Sequence, residues 1–155
     1  MRIATQFSVF LINKPGVLAA VTGALAKAKI NITALSLADS GEQGVLRVVA
    51  DETDTENTRK VLSAAHDHYT ETQVLVIELG NHPGAFADAA ETLAREKVNI
   101  LYAYSTGGAP GGRTSAVFKV NNAKKAGKAL DIRERSGGGK SKDQTVKPSP
   151  KRRRG

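Results

Sequence analysis

Asn13-Lys14-Pro15-Gly16-Val17-Leu18 returns as Asn81-His82-Pro83-Gly84-Ala85-Phe86, an offset of 68 residues from Asn13 to Asn81. This repeat limits the possible folds more than any other feature, because a self-similar period means one supersecondary unit built twice. The correspondence runs on downstream. At the same offset Leu25 matches Leu93, Ala26 matches Ala94, Asn31 matches Asn99 and Ile32 matches Ile100.

Each copy opens on an alternating apolar run, Phe7, Val9 and Leu11 in the first and Leu75, Ile77 and Leu79 in the second, which is strand periodicity. The strand is expected to end at the Asn. Pro15 and Pro83 suit a first helical turn, and apolar residues then recur at helical spacing, as Leu18, Val21, Leu25 and Ala28 and as Phe86, Ala90 and Leu93. Two β-rich runs follow in each copy: Ile32 to Ala38 and Val45 to Ala50 across Ser40 to Gly44, then Ile100 to Tyr104 and Ser115 to Val120 across a Gly-rich loop, Thr106 to Arg113. Thr53-x-x-Glu56 reads as a capping box opening a helix to about His66. The first unit is therefore β-α-β-β-α and needs a closing strand. Tyr69 to Leu79 is the candidate, yet the repeat makes it the opening strand of the second unit, so one strand is expected to serve both. The second unit has a weak helix near Ala123 to Leu130 and no strand after it, which predicts an incomplete sheet edge. The expected organisation is α+β, with two ferredoxin-like βαββαβ units at 1–72 and 70–132 and a disordered basic tail at 133–155.

The chain has 155 residues, 40% of them hydrophobic, enough for two small units that share a core but thin for two independent ones. No apolar run approaches the roughly 20 residues that cross a membrane, and Met1 to Gln6 lacks a signal-peptide layout, so a cytoplasmic protein is expected. With no Cys there are no disulfides, thiolate nucleophiles or common zinc frameworks. His66-Asp67-His68 has no third ligand nearby and reads as solvated polar residues, so neither metal nor cofactor is expected. The net charge of +8 belongs to the tail: residues 1–123 hold 11 basic and 12 acidic side chains, while 124–155 hold 12 basic and three acidic ones. No paired carboxylates or Ser-His-Asp order emerges, which argues against an enzyme.

The repeated motif has its own chemistry. A strand that turns directly into a helix presents unpaired backbone N–H groups and the positive end of the helix dipole, a spot that favours a carboxylate. Gly16 and Gly84 let a ligand approach the backbone, and the amides of Asn13 and Asn81 offer donors to a carboxylate and an acceptor to an ammonium. Asn31 and Asn99 open the next strand, placed to approach the same cleft or one across an interface. A purely local reading competes: Asn is a preferred helix N-cap and Pro is common in a first turn. His82 stands inside the second motif, Tyr102 and Tyr104 are expected to pack in core or interface, and the Gly-rich loop reads as a hairpin or lid. Phe10, Ile12, Val74 and Val76 put apolar side chains on the face away from the helices, which calls for sheet association within the chain or in a homodimer.

With Asn13 to Ile32 and Asn81 to Ile100 in view, the chain resembles the ACT domain family, specifically small tandem-ACT proteins without a catalytic domain. The resemblance covers about 125 residues and omits the tail. It implies βαββαβ units, ligand binding at an interface between paired units, and regulation of a protein partner rather than catalysis. By motif position it assigns amino-acid contacts to Asn13 and Asn31 and to Asn81 and Asn99. Ligand-binding residues are thus expected at Asn13, Pro15, Gly16, Val17, Leu18 and Asn31, and at Asn81, Pro83, Gly84, Ala85, Phe86 and Asn99. Because the second unit lacks a closing strand, if only one site works it is expected to centre on Asn13, Gly16 and Leu18, with Asn31 contributing directly or across an interface. Two other functions stand beside this one: a nucleic-acid-binding protein using Lys147 to Arg154 as an electrostatic arm, and a structural dimerisation module.

Overall fold

The computed structural model describes residues 1–65, 68–108 and 111–137. Its elements are β1 (Arg2–Ile12), α1 (Val17–Lys27), β2 (Ile32–Ser40), β3 (Gln43–Ala50), a 3-10 turn (Glu52–Asp54), α2 (Thr55–Ala64), β4 (His68–Gly80), α3 (Ala85–Arg95), β5 (Ile100–Ser105), β6 (Arg113–Val120) and α4 (Ala123–Gly137). The strands form one antiparallel sheet in the order β2-β3-β1-β4-β6-β5. This is the expected tandem of βαββαβ units, with β4 closing the first and opening the second.

Among the described residues no strand follows α4, yet the sheet edge of the second unit is filled. Strand β1 pairs with β4 from Arg2 opposite Val76 to Phe10 opposite His68, whereas its pairing with β3 starts only at Gln6. Residues Arg2 to Thr5 therefore project past β3 and lie beside β4, across from β6. That is the place of a fourth strand in the second unit. The expected open edge is corrected: the units share two strands, β4 and β1, and α4 packs against both.

Alternation along the strands sorts the core into three parts. Phe7, Val9 and Leu11 join Val21 and Leu25 of α1 and Leu62 of α2. Leu75, Ile77 and Leu79 join Ala89 and Leu93 of α3 and Ala126 and Leu130 of α4. On the other face Ala4, Val74 and Val76 meet Ala34, Val49 and Val117 in a third cluster with Tyr104 against it. That cluster draws on both halves because the sheet folds over. The Arg47 guanidinium of β3 sits 4.4 Å from the Tyr102 ring of β5, although four strand spacings, roughly 19 Å in a flat sheet, separate the two strands. Val74 and Val76 are thus covered within the chain, while Phe10 and Ile12 remain 46% and 60% exposed.

Several local expectations change. Pro15 and Pro83 precede the helices rather than entering them, because Gly16 and Gly84 are the N-caps. The helices bury Val21 and Leu25, and Ala85, Ala89 and Leu93, which leaves Leu18 and Phe86 at the rim. The Thr53–Glu56 capping box does not form: Asp54 is the N-cap, without a side-chain cap bond, and Glu56 pairs with Arg59 instead. Helix α4 continues to Gly137, past the expected stop at Leu130 and into the segment expected as tail. His66, Asp67, Ala109, Pro110 and the tail beyond Gly137 lie outside the described residues. His68 begins β4, so it does not sit on a helix. No described helix is long and apolar enough to cross a membrane.

Candidate ligand-binding site

In both motifs the chain leaves its strand through the same turn. The carbonyl of Lys14 accepts from the Val17 N–H at 3.4 Å, with Pro15 and Gly16 between, and the carbonyl of His82 accepts from Ala85 at 3.4 Å across Pro83 and Gly84. Pro at the second position and a positive-φ glycine at the third define a type II turn. Gly16 has φ 87° and Gly84 has φ 89°, a region where a side chain is strained. The next N–H groups in use are those of Ala20, bonded to Gly16, and Asp88, bonded to Gly84. Among the described residues the amides of Leu18, Ala19, Phe86 and Ala87 have no acceptor, at helix starts where the dipole favours an anion.

The Asn residues are not N-caps; they tie the turn to the neighbouring hairpin. Asn13 Nδ2 donates to the Gly41 carbonyl at 3.1 Å and to Asp39 Oδ1 at 3.4 Å, and its N–H donates to the Glu42 carbonyl at 2.9 Å. Asn81 Nδ2 donates to the Gly108 carbonyl at 2.7 Å and its N–H to the Gly112 carbonyl at 2.9 Å. Each tether holds the strand-to-helix turn beside the end of an edge strand, β2 or β5.

A hollow opens between turn and edge strand in both units. The first is about 70 Å³, lined by Leu11, Ile12, Asn13, Lys14, Val17 and Leu18 from the turn and Leu37, Ala38 and Asp39 from β2. The second is about 210 Å³, lined by Leu79, Gly80, Asn81, His82, Ala85 and Phe86 from the turn and Ser105, Thr106 and Gly107 from the end of β5 and the loop after it. Nine of the ten lining positions correspond at the repeat offset; the tenth is Gly44 in the first hollow and Thr114 in the second. The second is roomier because Gly80, Ser105 and Gly107 stand where the first has Ile12, Leu37 and Asp39. His82 leans over Gly80, whose missing Cβ would come 2.7 Å from the His82 ring, and its Nδ1 lies 3.0 Å from the Pro83 carbonyl. Phe86 stacks on Phe118 with ring centroids 5.0 Å apart, fixing the far wall.

Of the residues expected from the sequence, Asn13, Val17 and Leu18 line the first hollow and Asn81, Ala85 and Phe86 the second, with Pro15, Gly16, Pro83 and Gly84 forming the turns. Asn31 and Asn99 do not approach the cleft of their own unit. Strands β1 and β2 both run antiparallel to β3, so Asn13 and Asn31 stand at opposite ends of the sheet, about 30 Å apart at roughly 3.3 Å per residue. Asn31 Nδ2 donates to Asp51 Oδ2 at 3.3 Å, and the Asn99 N–H donates to Asn121 Oδ1 at 3.1 Å. The β2 and β5 wall residues were absent from the expected set, although extending the repeat offset past Ile32 locates them. The reason for favouring the first unit also falls away, since β1 completes the second.

Tyr102 and Tyr104 pack in the seam between the units. Gln6, fully buried, donates to Tyr102 Oη at 2.7 Å and accepts from Tyr104 Oη at 3.0 Å. Burial raises the Tyr104 phenol above its ordinary value, an effect the neighbouring Tyr102 adds to and Arg47 opposes. A sheet face so covered offers no open aromatic platform for bases. No group of three or more His, Cys, Asp or Glu suited to a metal occurs among the described residues.

The comparisons with known proteins follow the same fold. BT0572 from Bacteroides thetaiotaomicron is 34% identical, with a TM-score of 0.77, over 85% of this chain and 89% of that one. The ligand-free regulatory subunit of aspartate kinase from Thermus thermophilus is 16% identical, with a TM-score of 0.63, over 85% of this chain and 97% of that one. Aspartokinase III from E. coli, in complex with lysine and aspartate, is 16% identical, with a TM-score of 0.56, over 87% of this chain and 31% of its own. No curated protein matches the chain. The description "ACT domain pair" matches residues 1–135, so the chain belongs to the ACT domain pair family, a family of regulatory domains.

Proposed function

We propose that the protein is a non-catalytic sensor of a free amino acid, bound where a strand turns into a helix at the Asn-x-Pro-Gly loops and principally at the second loop. The observation that carries this is the roughly 210 Å³ hollow beside Asn81, Ala85 and Phe86, next to the open amides of Phe86 and Ala87. A carboxylate at the helix start meets those amides, and Ser105 and Thr106 supply hydroxyls for an ammonium or a polar side chain. Occupancy favours one arrangement of turn and edge strand, and that bias is what a regulated protein partner reads. The exposed Phe10 and Ile12 suit association of two copies into a homodimer, and the setting is cytoplasmic.

Thermal unfolding with a panel of the twenty amino acids tests this, starting with lysine and aspartate, the ligands held by the E. coli aspartokinase III structure. At a hundredfold excess over the dissociation constant the linkage is about 2.7 kcal/mol, a rise of several degrees in Tm. The response should survive removal of residues after 137, which a tail-dependent nucleic-acid function would not. No shift from any amino acid at millimolar concentration refutes the proposal.

A further inference from the structure

Helix α4 repeats α2 at the offset of the two motifs, yet its outer charges are reversed. Thr58 and Leu62 face the core in α2, and 68 residues on Ala126 and Leu130 face it in α4, all four at most 4% exposed. The register is the same, so the differences on the outer side are not set by packing. The start of α2 carries Glu52, Asp54 and Glu56, acids at the positive end of the helix dipole. The matching positions before and in α4 are Val120, Asn122 and Lys124, with Lys125 beside it and no acid in the first turn.

Lys124, Lys125 and Lys128 are all exposed, and no ion pair among the described residues engages any of them. Lys128 stands four residues from Lys124 and three from Lys125, so like charges are neighbours on one helix face. This crowding and the dipole both work against the helix, whose first turn is held by the Lys125 N–H donating to Asn122 Oδ1 at 2.9 Å. Three lysines that oppose their own helix and make no contact within the fold are suited to an anionic partner outside it.

The sequence continues the same sign. From Lys124 to Arg154 there are 12 basic side chains and three acidic ones, against 11 and 12 in residues 1–123. A helix that lies on a membrane surface needs a free apolar face, but that of α4, Ala126 and Leu130, is taken by the core. After Gly137 the apolar content is Val146 and two prolines, too little to enter a bilayer. A nucleic-acid duplex instead presents one phosphate charge about every 1.7 Å along its axis, which matches a long run of cations and asks for no apolar contact.

We infer that the lysine face of α4 and the basic run that follows it form a binding surface for the phosphate backbone of nucleic acid, without selection of bases. The covered sheet offers no aromatic platform, so phosphate contacts carry the affinity. This goes beyond amino-acid sensing at the loops and does not depend on it.

The test is fluorescence anisotropy of the full chain with labelled duplex DNA and duplex RNA of several sequences, across a series of salt concentrations. Binding should weaken steadily with salt and be alike for all sequences, and the tighter of the two duplexes identifies the source of the phosphates. Lys124→Gln, Lys125→Gln and Lys128→Gln together should weaken binding at least tenfold at about 0.1 M salt and flatten the log–log salt slope by roughly 2–3, close to one per lysine. Arginine at the same three positions should preserve both. The Tm of the Gln variant should equal or exceed that of the parent, because cations leave the positive end of the helix dipole. The inference is overturned if the full chain binds neither duplex, or if the Gln variant keeps the affinity and slope of the parent. It is equally overturned if polyglutamate, or vesicles of equal parts phosphatidylserine and phosphatidylcholine, bind more tightly than both duplexes at the same salt. The amino-acid thermal shift reports the loops separately and should be the same in parent and Gln variant.

Discussion

The two strand-to-helix loops share a backbone and differ in their walls. Both use an x-Pro-Gly-x turn with glycine near φ 88°, both tie an Asn amide to the adjacent hairpin or loop, and both leave two amides open at a helix start. Yet one hollow is about 70 Å³ and the other about 210 Å³, because Ile12, Leu37 and Asp39 became Gly80, Ser105 and Gly107. The turn is what the fold needs to pass from strand to helix. The walls set whether anything can enter. A motif match therefore identifies the scaffold of a site, and the residues across from it decide its use.

The largest effect should come from closing the open side. Gly80→Ile restores the residue of the first unit: its Cβ falls 2.7 Å from the His82 ring, which must shift, and the new side chain stands on the wall of the hollow. Amino-acid affinity measured by calorimetry should fall at least a hundredfold, equivalent to about 2.7 kcal/mol. Asn13→Ala in the first unit should leave affinity within twofold. Equal losses from both changes would mean that wall shape is not what separates the loops.

A converse change should open the closed side. Leu37→Ser with Asp39→Gly gives β2 the side chains found at the end of β5 and in the loop after it. Leu37 is already 51% exposed, so the stability cost should stay near 1 kcal/mol. Calorimetric stoichiometry should rise from one toward two per chain at the loops, with the new site within about tenfold of the old. An unchanged stoichiometry would show that Ile12 alone seals the first hollow.

How much of this was readable beforehand differs by level. The repeat located both turns and the shared strand β4, because an offset carries register with it; the walls at 37–39 and 105–107 obey the same offset but were absent from the expected set. It could not show β1 completing the second unit. Arg2 to Thr5 continue the same strand as Phe7 to Leu11, and nothing local marks where pairing with β3 stops and pairing with β4 alone begins. The Pro positions misled because proline suits a first helical turn and a type II turn equally, and the positive φ of the following glycine decides between them. The capping box failed because Glu56 finds Arg59 on its own helix. The seam, where Arg47 meets Tyr102 and Gln6 meets two tyrosines, depends on the sheet folding over, which no local pattern reports.

The turns themselves should respond alike, in contrast with their walls. Gly16→Ala and Gly84→Ala each force a Cβ into a left-handed backbone with nothing within 4 Å to clash, so only conformational strain is at issue. Each should cost about 1–2 kcal/mol, and the two should lower the urea midpoint equally. Only the Gly84 change should weaken ligand binding. Unequal destabilisation would break the claim that the two turns are one structural device.

The smallest effect tests the seam that holds the two units in register. The Tyr104 hydroxyl donates to Gln6, and burial raises its pKa above the usual 10.0, so the folded state holds the proton longer than the unfolded chain does. Its contribution to stability is complete below about pH 10, where both states are protonated, and declines as pH rises through the folded value, because only the unfolded state gains by releasing the proton. Tyr104→Phe should cost about 1 kcal/mol at neutral pH, the net value of one hydrogen bond. The gap between parent and variant in urea midpoint should then narrow between pH 10 and 11, other alkaline titrations being common to both chains. A gap that stays constant over that range would mean that the phenol is not sealed in the seam and that the units meet more loosely than Gln6, Tyr102 and Tyr104 imply.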